Sequence, residues 1–141
     1  MSKHYWICNI HPRYWSSCRD DLTWGVPNPN NNNRPYGINQ LERVRIGDVL
    51  LFYVQGQGIS GYFSASSRAH EDDKPQWKGF LNRVRIEETK MLSSPIPFWA
   101  FSGKIYNQQT AKPIDNGAAI FGKSMIPISS EDFEYLLNLS I

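Results

Sequence analysis

At 141 residues the chain has room for one domain with a real core, and it needs neither disulfides nor a metal to hold that core together. A net charge of +2 is a weak signal for nucleic-acid binding, because counterion release needs many Lys and Arg on one face and this composition does not guarantee one, so a shaped pocket would have to contribute beside phosphate contacts. The rings are the unusual part: five Trp, seven Tyr and seven Phe make up 13% of the residues, more than the filling of a small core calls for.

Residues 4–10 are rich in aromatic and β-branched residues and read as a first strand. Pro12 opens a short helix over 12–20. Gly25 and Pro27 in Thr23-Trp24-Gly25-Val26-Pro27 are expected to break regular structure. The Asn-rich stretch 28–36 reads as a polar loop, with closure over a ligand as its sharper alternative. Gly47-Asp48 marks a turn, and the unbroken apolar run Val49–Val54 predicts a buried strand. Gln55-Gly56-Gln57-Gly58 then turns the chain back into a strand over 59–66, the clearest hairpin in the sequence.

Residues 68–76 read as a loop and 80–86 as a half-buried strand, with Arg83 and Arg85 on the polar side of its alternation. The stretch 91–117, with three prolines, reads as irregular. A further strand is expected over 120–126. The last helix starts after Pro127 with a Ser cap, acids in its first turn, and Phe133, Leu136 and Leu137 along one side. Strands outnumber helices without alternating strictly with them, which predicts an α+β domain: a curved sheet or partial barrel with helices packed against it.

Catalytic and metal patterns fall short. His4, Cys8, His11 and Cys18 have the right chemistry for zinc but no recognised ligand spacing, and Cys8 sits mid-strand, where a small buried residue is the plainer reading. A Cys8–His11 nucleophile pair lacks a third orienting group. Gly56-Gln57-Gly58 lacks the Lys and the helix that a phosphate loop needs, and Glu71-Asp72-Asp73 reads as a solvated loop. No cofactor, metal or catalytic residue is therefore assigned. No apolar run approaches the ~20 residues of a membrane span. Residues 1–6 lack a secretory signal, so a cytoplasmic protein is expected, one in which Cys8 and Cys18 stay unpaired.

Two rings stand outside the expected core. Trp24 lies beside Gly25 and Pro27, and Trp77 at the mouth of a strand before Lys78-Gly79. Such rings are either staples over the core or the walls of a slot for a flat ligand. Stacking on a base contributes ~1–3 kcal/mol, more than one screened surface ion pair.

Tyr5-Trp6-Ile7-Cys8, Trp24-Gly25-Val26-Pro27, Arg45-Ile46-Gly47-Asp48 and Phe121-Gly122-Lys123-Ser124-Met125 before an acidic helix together resemble the EVE domain, from about residue 4 to 139. That resemblance implies a single domain over 1–141 with a PUA-like mixed β-sheet pseudo-barrel flanked by short helices, related to YTH and ASCH domains and similar to the front modules of McrB-type restriction subunits. It implies a non-catalytic module that binds DNA or RNA and holds a flipped or unstacked, modified base in an aromatic pocket. Trp24 and Trp77 match two cage tryptophans of YTH domains. The third wall falls at Asp72, which is not aromatic, so the missing ring would come from Tyr62, Phe63 or Trp99. The expected base-binding set is Trp24, Trp77, Asn9, Gly25 and Phe63, with Lys78, Arg83 and Lys123 on the backbone. Rival readings are an RNA binder indifferent to modification, a small-molecule sensor, and an ASCH-like enzyme, for which no nucleophile set is evident.

Overall fold

The computed structural model describes residues 3–28, 36–116 and 124–140. Strand β1 (Tyr5–Ile10) is followed by helix α1 (Pro12–Asp21), strand β2 (Thr23–Val26) and a short α2 (Tyr36–Leu41). The hairpin β3 (Val49–Val54) and β4 (Gly58–Ala65) follows, then the two-residue β5 (His70–Glu71) and a single 3₁₀ turn, Pro75–Trp77. A long β6 (Asn82–Ile96), short α3 (Phe98–Phe101), β7 (Met125–Ile128) and α4 (Ser130–Leu139) complete the described chain. Most of the Asn-rich stretch, and the first half of the strand expected over 120–126, lie outside the described residues.

The strands form one curled sheet in the order β2-β6-β4-β3-β1-β7, with β5 added against β6. β1 and β3 run parallel, and the other pairs are antiparallel. All six residues of β3 are buried, as its unbroken apolar run requires of a central strand covered on both faces. Alternation divides them between two cores. Leu50, Phe52 and Val54 pack with Trp6, Cys8, Trp15, Trp24 and Phe63 on the face covered by α1. Val49, Leu51 and Tyr53 pack with Ile7, Phe101, Phe133 and Leu136 on the face covered by α3 and α4.

Three segments depart from the sequence expectation. Thr23–Val26 is strand, not a break, because β6 offers it a ladder; Gly25 pairs opposite Arg83. Tyr36–Leu41 is helical. β6 continues through Pro95 to Ile96, since β4 pairs with it as far as Ile59 opposite Ile96. In each case tertiary pairing or packing outweighs weak local signals.

The caps are local chemistry. His11 caps α1 by accepting the Arg13 backbone N–H through Nδ1 at 3.1 Å, and Pro12 takes the first turn. Ser129 caps α4 through the Asp132 N–H at 3.1 Å. Gly56 (φ 81°) and Gly58 (φ 115°) turn the β3–β4 hairpin in a backbone region that other residues rarely enter. Among the described residues no helix is long and apolar enough to cross a membrane.

The buried Asp48 carboxylate ties the start of β3 to the start of β1. It accepts the His4 backbone N–H (3.1 Å), the Trp6 indole N–H (3.2 Å) and the Arg45 backbone N–H (3.0 Å). Asp48→Ala strands three donors, and its expected cost is about 2–4 kcal/mol. A fall in the urea midpoint with an unchanged slope would register it; a midpoint equal to the parent's would contradict it.

Cys8 and Cys18 are free and buried. Burial, with Cys18 nearby, pushes the Cys8 thiol well above its ordinary 9.0. Burial pushes Cys18 up to about 12, against the lowering pull of Arg83. Both thiols therefore stay protonated in the fold. Above pH 9 the unfolded chain sheds thiol protons that the folded chain keeps, so the contribution of Cys18 is complete below pH 9 and is lost between 9 and about 12. Stability is expected to fall with pH in that window by up to about 1.4 kcal/mol per unit for Cys18. Urea midpoints of the parent and Cys18→Ala across the window check this, the variant showing the shallower decline.

Candidate nucleic-acid interface

At one end of the sheet, β6 is flanked by β2 on one side and β5 on the other. Both neighbours meet Asn82 and Arg83, the latter opposite Gly25 and opposite His70. Directly opposed residues share a face of a sheet. Thr23, Gly25 and Arg83 therefore lie on one face of the β2–β6 pair, and Trp24 and Val84 on the other. The contacts agree. Arg83 Nε donates to Thr23 Oγ1 at 3.2 Å, while the Trp24 ring packs edge-on to Phe52 with centroids 6.0 Å apart.

Trp77, delivered by the 3₁₀ turn, lies over the Arg83 face. The centre of the Arg83 guanidinium sits 3.8 Å from the indole centroid, a close cation–π stack. The ring is fixed from its edge by its N–H, which donates to Asp21 Oδ2 at the end of α1 (2.9 Å). Tyr14 of α1 stacks on it at 6.1 Å and 29°, and Phe80 meets it edge-on at 6.5 Å. Gly25 makes the layer thin enough for the arginine: a Cβ there would sit 3.2 Å from Arg83 Cγ, 3.3 Å from Nη1 and 2.9 Å from the Asn82 carbonyl oxygen. Burial holds the Arg83 pKa below its ordinary value, and Asp72, Cys18 and Asp21 pull it back up.

Several expectations about the site need correction. Trp24 and Trp77 do not wall an open slot: they are only 2% and 3% exposed. Trp24 lies on the opposite face of the β2–β6 pair from Arg83, against Phe52, and both indoles belong to one buried cluster. Phe63, fully buried, packs edge-on to Phe52 at 5.3 Å and Trp15 at 6.1 Å, so it is core and not a third wall. Asn9 pairs with Tyr53 and faces the core of the other side, where its Oδ1 accepts from Gln55 Nε2 at 3.2 Å. Arg83 is not on the surface, because the Trp77 turn covers the side of β6 that alternation alone leaves to solvent; Arg85 on that side is exposed. Lys78 is exposed, as expected of a backbone contact, and Lys123 lies outside the described residues.

Of the expected set, the structure brings together Gly25, Trp77 and Arg83, with Lys78 next in sequence. Reading the sequence missed Thr23, Tyr14 and Asp21, which brace them, and Lys74, exposed at the other end of the turn. The β2–β6 register brings Thr23 and Gly25 to Arg83, and the folding-back of the turn and of α1 adds Trp77, Tyr14 and Asp21; no local motif records either. His11, a candidate ligand, is spent as a helix cap, and no cluster of three or more His, Cys, Asp or Glu suited to a metal occurs among the described residues.

Comparison with known proteins agrees with this architecture. A UPF0310 protein of Pyrococcus abyssi is 24% identical over 148 residues, spanning 96% of this chain and 98% of its own. The human THYN1 protein, solved in complex with 5-methylcytosine-containing DNA, superposes with a TM-score of 0.63 at 16% identity, covering 98% of each chain. The YTH domain of Zygosaccharomyces rouxii MRB1, solved with N6-methyladenosine RNA, gives a TM-score of 0.69 at 15% identity, covering 97% of this chain and 83% of that one. These likenesses establish the PUA-like α+β fold. The model of the EVE domain matches residues 4–139, and the chain belongs to that family.

Proposed function

We propose that this chain is a nucleic-acid-binding module, without catalytic chemistry of its own, that takes one modified base out of its stack and lays it against Trp77. The observation that carries this reading is the 3.8 Å stack of a planar group on the Trp77 ring. An indole braced by Asp21 and Tyr14, holding a flat partner on its face, suits a nucleobase equally well. Exposed Lys74 and Lys78 flank the turn that carries the ring, where phosphates on either side of an extruded nucleotide would pass. The methylated DNA and RNA held by THYN1 and the YTH domain favour a modified base.

Energetically, extruding a base from a duplex costs a few kcal/mol, and less from a single strand. Stacking on the indole returns ~1–3 kcal/mol. A methyl group adds buried apolar area at about 25 cal/mol per Å², enough to bias the choice of base. The low net charge fits a site in which shape contributes beside the phosphates.

Fluorescence-anisotropy competition tests the reading, using DNA and RNA oligonucleotides that carry 5-methylcytosine, N6-methyladenine or the unmodified base. A modified strand is expected to bind tightest. Trp77→Leu, checked for folding by circular dichroism, is expected to weaken it by about 5- to 150-fold, the loss of one stacked base. Equal binding of modified and plain RNA would favour the indifferent RNA binder. A folded Trp77→Leu with parental affinity would move the site elsewhere.

A further inference from the structure

Arg83 is fully buried, yet it is poorly provided for. Nε reaches Thr23 Oγ1 at 3.2 Å, and Nη1 reaches the Phe80 carbonyl at only 3.4 Å, beyond the usual range. Nη2 has no hydrogen-bond partner, the one such buried side-chain atom among the described residues. A guanidinium brings five N–H donors to a buried position, and leaving some of them unmade is costly. An apolar side chain in the same layer would avoid that cost. Its closest cover is the Trp77 ring, 3.8 Å from the guanidinium carbon, in space left by the missing side chain at Gly25, with the charges of Asp72 and Asp21 favouring its charged form.

We infer that Arg83 is an internal stand-in for the ligand. Its guanidinium covers the face of Trp77 until a base displaces it, and it then pairs with a phosphate of the same nucleic acid. The inference rests on the base-binding reading above, and it assigns Arg83 two opposite effects. Against the base alone it is a competitor, because the two planes want the same indole face. Against a strand it is an asset, because a phosphate supplies the charge-assisted acceptor that Nη2 lacks inside the fold. The exchange trades a cation–π stack and two long hydrogen bonds for a base stack and an ion pair. No covalent bond is made or broken; because Arg83 and Trp77 are 0% and 3% exposed, the exchange requires the short turn that carries Trp77 to lift, while β6 stays paired to β2 and β5.

The two effects are separable by giving the protein a base without phosphates. Arg83→Met keeps the length and bulk of the side chain and removes the flat cation. It is expected to bind the nucleosides 5-methyl-2′-deoxycytidine and N6-methyladenosine about 3- to 10-fold tighter than the parent does, because nothing competes for the ring. The same variant is expected to bind a single-stranded nine-nucleotide oligonucleotide carrying the same base about 5- to 30-fold more weakly, with a shallower salt dependence. Arg83→Lys retains the charge without the plane. It is expected to gain on the nucleoside and to stay within about threefold of the parent on the strand, which also guards against a Met variant that folds poorly.

Nucleoside and strand affinities that move together in either direction, or that do not move at all, would overturn the stand-in role. Loss of both would mark Arg83 as a direct reader of the base or a simple support. A parent protein that binds the strands but is indifferent to Trp77→Leu would defeat the base-binding reading first, and the stand-in role with it. Indifference to Arg83 while Trp77→Leu abolishes binding would defeat the stand-in role alone.

Discussion

The molecule is organised around a strand that has no outside. β3 runs through the middle of the sheet with every residue buried, and its two faces nucleate two separate cores. Such a strand tolerates no slip, since a shift of one residue would exchange the side chains destined for each core. Asp48, just before the strand, accepts three hydrogen bonds that pin its start to the start of β1 and to the preceding turn. Once that register is set, β1, β4 and β7 follow by pairing, and the helices close whichever face they reach.

Much of this frame was legible because its signals are local and strong. The apolar run of β3, the glycine turn into β4, the proline start of α1 and the serine cap of α4 each reflect one physical preference acting over a few residues. What escaped was decided at a distance. Gly25 and Pro27 speak against a strand, yet β2 exists because β6 lies alongside with a ladder to offer. The charged stretch after Ile86 and Pro95 speak against a continued strand, yet β4 holds it in the sheet.

The site was legible in its chemistry and not in its geometry. Trp77 and Arg83 are both recognisable as residues suited to bases and phosphates, but their contact depends on the short turn that folds Trp77 back over β6, which residue spacing alone does not encode. Trp24 looks like the natural partner of Trp77 by residue type. Strand alternation sends it into the core with Phe52, and the same rule sends Asn9 to the far face of the sheet. A one-residue parity, invisible without the pairing, separates a wall from a staple.

β6 has a consequence for the tempo of recognition. Its fifteen residues bind β2 and β5 at one end and β4 along the rest, so the backbone beneath Arg83 is clamped from both sides. Adaptation at this spot is left to the Arg83 side chain and the short turn that covers it, not to the sheet beneath. Rotamer changes of exposed side chains run in picoseconds to nanoseconds, but Arg83 is fully buried beneath Trp77 and can turn only as that contact opens, which places the step among the slower loop motions. The sheet would then be a rigid platform on the timescale of an encounter, and the opening of the small turn above it would set how quickly a visitor is admitted.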